Sequence, residues 1–193
     1  LVPVAFAIDT SVPGKPKLVK KWEGRDCSNG KAVPVWANLG NLAISLKDLD
    51  NDGKPEVLSH FFVFDYQGCL LNKTVPALNN GIGELGVIST YADVDLDGRP
   101  ELVRYDGIWA WDSTGREWVR PTWAKASADL TAAYTAIADF GAFSTINGIS
   151  KDLPEIVVIA NGKARIQTIG GDVVFGPFDV FDGGRGGPPT AAD

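Results

Sequence analysis

Asp48-Leu49-Asp50-Asn51-Asp52-Gly53-Lys54-Pro55-Glu56-Val57-Leu58 recurs 45 residues later as Asp93-Val94-Asp95-Leu96-Asp97-Gly98-Arg99-Pro100-Glu101-Leu102-Val103. The two stretches share Asp at positions one, three and five, Gly at six, Pro at eight and Glu at nine. Agreement at that many spaced positions marks a duplicated structural unit, which has to be recognised before any motif inside it is interpreted. Weaker copies flank the pair. Asp9-Thr10-Ser11-Val12-Pro13-Gly14-Lys15-Pro16-Lys17-Leu18-Val19 keeps the first Asp, the Gly and the second Pro, 39 residues before Asp48. Ala138-Asp139-Phe140 opens a fourth copy 46 residues after Asp93; its loop is expanded, and the register resumes at Leu153-Pro154-Glu155-Ile156-Val157-Val158. Ala191-Ala192-Asp193 matches the start of a fifth.

Downstream of each loop, short apolar runs alternate with turn residues. Residues 101–105 lead to Asp106-Gly107, then 108–112, Ser113-Thr114-Gly115 and 116–119. The fourth copy runs 155–160, Asn161-Gly162, 163–169, Gly170-Gly171 and 172–175. Asp-Gly and Asn-Gly between β-rich runs signal hairpins, because a type I′ turn needs positive φ at both central residues. Counting the strand that ends at the first Asp, each repeat holds about four strands in ~40–50 residues, the size of a propeller blade. The expected fold is therefore all-β, with blades of four antiparallel strands in repeats 1–40, 41–85, 86–130 and 131–180 and the start of another at 186–193.

With the repeat in hand, the chain resembles the FG-GAP/VCBS family of calcium-binding β-propellers. The match rests on residues 92–103 and the twin at 48–58, with degenerate copies over most of the chain. The resemblance implies a ring of about seven blades, of which this chain offers about four. It also implies an extracellular, secreted or cell-surface setting, as in integrin α-subunit heads, lectins and accessory domains of polysaccharide lyases.

An EF-hand also begins Asp-x-Asp-x-Asp-Gly, but it needs a bidentate acid at position twelve and flanking helices. Here position twelve is Ser59 or Arg104, and the flanks are strand-like. The acid falls at position nine instead, which is the pattern of the resembled family. Ca²⁺ takes six to eight hard oxygens, and alternating Asp residues in a tight loop turn successive carboxylates inward. Two Ca²⁺ sites are expected. Asp48, Asp50, Asp52 and Glu56 supply side chains to one, and Asp93, Asp95, Asp97 and Glu101 to the other, with the carbonyls of Lys54 and Arg99 at position seven. The first copy has Ser11, Pro13 and Lys17 where the acids should be, so no ion is expected there; the Lys17 ammonium is a candidate substitute. In the fourth, Phe140, Gly141 and Phe143 replace acids, and no ion is expected either.

Composition narrows the partners. The 193 residues include 18 Lys and Arg against 24 Asp and Glu, a formal charge of −6 with no basic run, which argues against nucleic acid. No apolar stretch reaches the ~18 residues of a membrane span, so no insertion is expected. The run from Val2 to Ile8 lacks a basic n-region and reads as a strand. Cys27 and Cys69 have no CxxC partner; they either bridge each other or stay as buried thiols. Asn72-Lys73-Thr74 is a sequon.

Other motifs fit the strand-rich fold better than they fit chemistry. Gly81-Ile82-Gly83-Glu84-Leu85-Gly86 spells a dinucleotide fingerprint but leads into a β-branched run rather than a helix. Gly183-Gly184-Arg185-Gly186-Gly187-Pro188-Pro189 lacks the Lys-Ser/Thr of a phosphate cradle. Trp109 and Trp111 align with Phe62 and Phe64 of the preceding repeat, which makes them packing residues between sheets; Trp22, Trp36, Trp118 and Trp123 are candidates for a binding face. His60 is the single histidine, and no nucleophile has a visible activating partner, so no catalytic residue is assigned. The expected function is a calcium-stabilised module for adhesion or for binding a protein or glycan. A polysaccharide-acting enzyme or accessory domain, and a spacer in a surface filament or toxin assembly, are the alternatives.

Overall fold

The computed structural model describes residues 3–33, 44–73, 90–104, 107–125, 133–146, 149–160 and 162–180. Trp36, Gly81 to Gly86, Gly183 to Pro189, Ala191 to Asp193, and Thr74, Asp106 and Asn161 of the motifs above lie outside the described residues. Every helix or strand assigned among the described residues is a strand, in antiparallel sheets of two to four.

β1 (Val4–Asp9) and β2 (Lys17–Glu23) pair as a hairpin, followed by a short one of β3 (Arg25–Asp26) and β4 (Lys31–Ala32). β5 (Ser45–Lys47), β6 (Glu56–Ser59) and β7 (Phe62–Phe64) form a three-stranded sheet, extended where Phe64 bridges Leu70. β8 (Thr90–Ala92), β9 (Glu101–Arg104), β10 (Gly107–Asp112) and β11 (Glu117–Val119) make a four-stranded sheet whose neighbours follow chain order. β12 (Ala133–Ala138) pairs with β15 (Glu155–Ala160), then come β16 (Lys163–Gln167) and β17 (Val173–Asp179). A separate hairpin, β13 (Ser144–Ile146) and β14 (Ile149–Lys151), fills the expanded loop of the fourth copy. No closed barrel forms among the described residues.

The repeat has one structural meaning in all four copies. Its Asp-rich segment joins the first strand of a sheet to the second, and position nine opens that second strand. The register pairs Asp9 with Lys17, Lys47 with Glu56, Ala92 with Glu101 and Ala138 with Glu155.

Successive side chains of a strand point to opposite faces, and here both faces of the inner sheets are apolar. Val57, Phe62 and Phe64 pack with Trp22 and Val33 of the preceding repeat. Leu58 and Val63, one residue out of phase, pack with Tyr91, Leu102 and Trp111 of the next. In turn Val103 and Ile108 meet Ile156, Val158 and Ala160. Three apolar layers thus separate four successive sheets. Full burial of one Leu or Phe contributes about 1.5–3 kcal/mol, so these layers, each built from both neighbours, are the main source of cohesion.

Cys27 and Cys69 form a disulfide that ties the β3–β4 hairpin to the chain beside β7. The same junction carries Arg25 N–H on the Gly68 carbonyl and Leu70 N–H on the Arg25 carbonyl, both within 2.9 Å. Gly68 sits at φ 85° with the Trp22 ring over it; a Cβ there would lie 2.6 Å from that ring.

Candidate metal centre

The β5–β6 and β8–β9 loops fold identically, and the local hydrogen bonds explain why. Position four (Asn51, Leu96) and position six (Gly53, Gly98) take positive φ, 59° and 59°, then 83° and 91°. Glycine accepts this region without steric cost and Asn tolerates it, whereas Leu96 is held there by its loop. The first Asp caps the turn with both oxygens: Asp48 accepts from Asp52 and Gly53 N–H, and Asp93 from Asp97 and Gly98 N–H, at 2.8–3.1 Å. Asp50 and Asp95 accept further from Asp52 and Asp97 N–H at 3.3 and 3.2 Å.

Each loop gathers three of its four acids. Oxygens of Asp48, Asp50 and Glu56 lie within 4.8 Å of one another, as do those of Asp93, Asp95 and Glu101. Oxygens at about 2.3–2.6 Å from a shared Ca²⁺ are at most about 5 Å apart, so this spread fits one such ion. Asp52 and Asp97 stand outside the clusters. Asp52 turns its carboxylate to Lys54, accepting from the backbone N–H at 2.7 Å and the ammonium at 3.2 Å; Asp97 accepts from Arg99 N–H at 2.8 Å. The fifth position thus also caps the turn, through the N–H groups of Lys54 and Arg99.

Position nine does something the sequence does not reveal. Glu56 and Glu101 are buried, and each uses Oε2 to accept the N–H of position two, Leu49 at 2.8 Å and Val94 at 2.9 Å. Burial pushes the Glu101 carboxyl up to about 8, against the pull of the Val94 N–H, with the Asp95, Asp97 and Asp93 charges adding to the rise. Glu56 is raised for the same first reason. A cation in the Asp93, Asp95 and Glu101 cluster would compete with the proton that burial favours on Glu101.

The degenerate copies retain the scaffold and lose the cluster. Glu155, fully buried, accepts Phe140 N–H at 2.9 Å, again position nine to position two. In the first copy Lys17 lies 3.3 Å from Asp9 Oδ2, so an ammonium occupies the acid's neighbourhood. The two acidic loops also touch: Asn51 Nδ2 donates to the Gly98 carbonyl at 3.2 Å.

The aromatic candidates are packed. Trp111 and Trp118 are buried with ring centroids 5.3 Å apart, and Trp109 meets Phe61 edge-on at 5.5 Å. Trp22 donates to the Tyr66 carbonyl and Trp118 to the Phe61 carbonyl, while Trp123 packs on the layer beneath β9 and β15. Trp118 is thus interior, while Trp22 and Trp123 are half-buried at the margins of the layers. Asn72 is likewise structural: buried, it accepts from Val63 N–H at 2.7 Å and donates to the Phe61 carbonyl at 3.0 Å, leaving its amide inaccessible for glycosylation in the fold. His60, at φ 57°, sits between sheets with Nε2 3.3 Å from the Arg104 guanidinium. Burial, and then the Arg104 charge, hold its pKa at about 3.

In comparisons with family models, curated proteins and solved structures, nothing matched the chain.

Proposed function

We propose that the chain is a run of β-propeller blades whose two acidic loops hold structural Ca²⁺, in an extracellular or cell-surface protein that presents its outer surface to a protein or glycan ligand. The observation that carries this reading is the duplicated cluster: three carboxylates within 4.8 Å, built twice on the same hydrogen-bonded turn. Four successive sheets stacked through apolar layers support the blade arrangement. Hard oxygen donors on a flexible loop suit Ca²⁺, and sites of this kind in extracellular modules bind at about 10⁻⁴–10⁻³ M. The ion joins the end of one strand to the start of the next, so binding and folding are linked.

The test is a Ca²⁺ titration of EDTA-stripped protein by calorimetry, alongside Asp50→Ala and Asp95→Ala. Two sites, one lost in each variant, are expected. Absence of binding at millimolar Ca²⁺ overturns the metal assignment.

A further inference from the structure

One side chain joins the two acidic loops. Asn51 stands at position four of the first loop with φ 59°, in the turn that Asp48 and Asp50 close by accepting the Asp52 N–H. Its Nδ2 crosses to the second loop and donates to the Gly98 carbonyl at 3.2 Å. That carbonyl belongs to the same planar peptide unit as the Arg99 N–H, which donates to Asp97 at 2.8 Å. The Gly98 N–H, on the unit before, donates to Asp93 Oδ2 at 2.9 Å. Asn51 therefore holds the backbone immediately ahead of the Arg99 carbonyl expected at position seven. Position four does not require an amide: Leu96 takes the same φ of 59° in the twin loop, and Val12 and Ala142 stand there in the degenerate copies. Among the four copies, Asn occurs in the acidic loop that is followed by another acidic loop.

We propose that Asn51 is a positioning residue that couples the two loops, so that Ca²⁺ in one raises the affinity of the other. The inference rests on the calcium reading above. Without a cation the gathered carboxylates repel one another, and an ion drawing Asp48, Asp50 and Glu56 together fixes the turn that aims Asn51. With the Gly98–Arg99 peptide already held, the second loop loses less conformational freedom when its own ion arrives. Coupling between binding sites is reciprocal, so an ion in the second loop favours the first by the same factor. A single neutral hydrogen bond, here exposed to water, sets that factor at about 2–10. Charge acts with the opposite sign, because an ion in one loop weakens the negative potential that draws a cation to the other. In about 0.15 M salt, exposed charges more than about 8 Å apart are largely screened, so the sign of the coupling separates the amide bridge from the field.

A double-mutant cycle of calorimetric Ca²⁺ titrations at that salt tests it on the full chain: wild type, Asp95→Ala, Asn51→Leu and the two changes together. The wild type is expected to fill its two sites with positive cooperativity. Asp95→Ala, which disables the second site, is expected to weaken the first about 2–10-fold. In the Asn51→Leu background the same change is expected to leave the first site's affinity where it was. Leu96 shows that the turn accepts Leu at this position, and Asn51→Gly, which meets the positive φ with no side chain, is expected to abolish the coupling equally. A merely structural Asn51 would lower the first site's affinity and leave its dependence on the second intact; that result overturns the proposal. Two sites that fill independently in the wild type overturn the coupling and leave the calcium reading standing. Absence of Ca²⁺ binding in the wild type overturns the calcium reading, and the coupling with it.

Discussion

Glu101→Gln is expected to change sign with calcium. In the metal-free protein, burial lifts this carboxyl from 4.5 to about 8. A folded-state pKa raised above the unfolded value means stability that is full below pH 4.5 and is lost as pH rises through about 8. At pH 7 the undiscounted cost is 2.5 units at about 1.4 kcal/mol each, about 3.4 kcal/mol. Allowing for an effective dielectric well above the dry-interior limit, and for the new amide N–H that must find a partner, leaves about 1–2 kcal/mol. Gln keeps an oxygen for the Val94 N–H, 2.9 Å from Oε2 in the wild type, so the turn survives. In EDTA at pH 7 the variant is therefore expected to melt about 2–8 °C above the wild type, at about 2–4 °C per kcal/mol for a chain of this size. With 10 mM Ca²⁺ the order is expected to reverse, since Gln removes an anionic ligand. Differential scanning fluorimetry from pH 4.5 to 8, with and without Ca²⁺, reads both effects. A variant destabilised equally in EDTA and in Ca²⁺ would refute the reasoning and reduce Glu101 to a hydrogen-bonding group.

Three further outcomes follow from the same geometry. Asp50→Asn is expected to weaken Ca²⁺ at the first loop at least tenfold by calorimetry, whereas Asp52→Asn, whose carboxylate faces Lys54 outside the cluster, is expected to weaken it far less; equal losses would put Asp52 back among the ligands. Cys27→Ser with Cys69→Ser opens a loop of 42 residues, which the chain-entropy model values at about 4 kcal/mol, so urea midpoints of reduced and double-variant protein should fall together. His60, depressed from 6.5 to about 3, contributes stability present above pH 6.5 and lost as pH falls towards 3, about 4 kcal/mol at the lower end. His60→Asn, which tolerates the same positive φ, should flatten that acid limb; an unchanged pH profile would assign the acid sensitivity elsewhere.

The strand pattern and the loop positions were legible because both are local. Period-two apolar runs and turn residues place β9, β10 and β15 within a residue of their observed bounds, and the duplicated Asp spacing identifies the segment that joins first and second strands. What escaped depends on competition or distance. Spacing alone does not show that Asp52 and Asp97 also hold the N–H two residues on, a turn that a short carboxylate readily closes. The Glu56 and Glu101 bonds to position two need the strand register to bring position nine back to the loop's start. The β13–β14 hairpin is hidden in what reads as an expanded loop, and β17 runs on to Asp179 past Gly176-Pro177, where a Gly-Pro step suggests a strand end. The Asn51 contact with Gly98 joins two repeats and has no local signature.

The most direct test of the calcium scaffold is a crystal structure grown in millimolar Ca²⁺, with anomalous data collected to locate the ions. Two peaks are predicted, one bounded by Asp48, Asp50 and Glu56 and the other by Asp93, Asp95 and Glu101, with ligand distances of about 2.3–2.6 Å. Clusters bridged only by water, with no anomalous signal at either, would contradict the account.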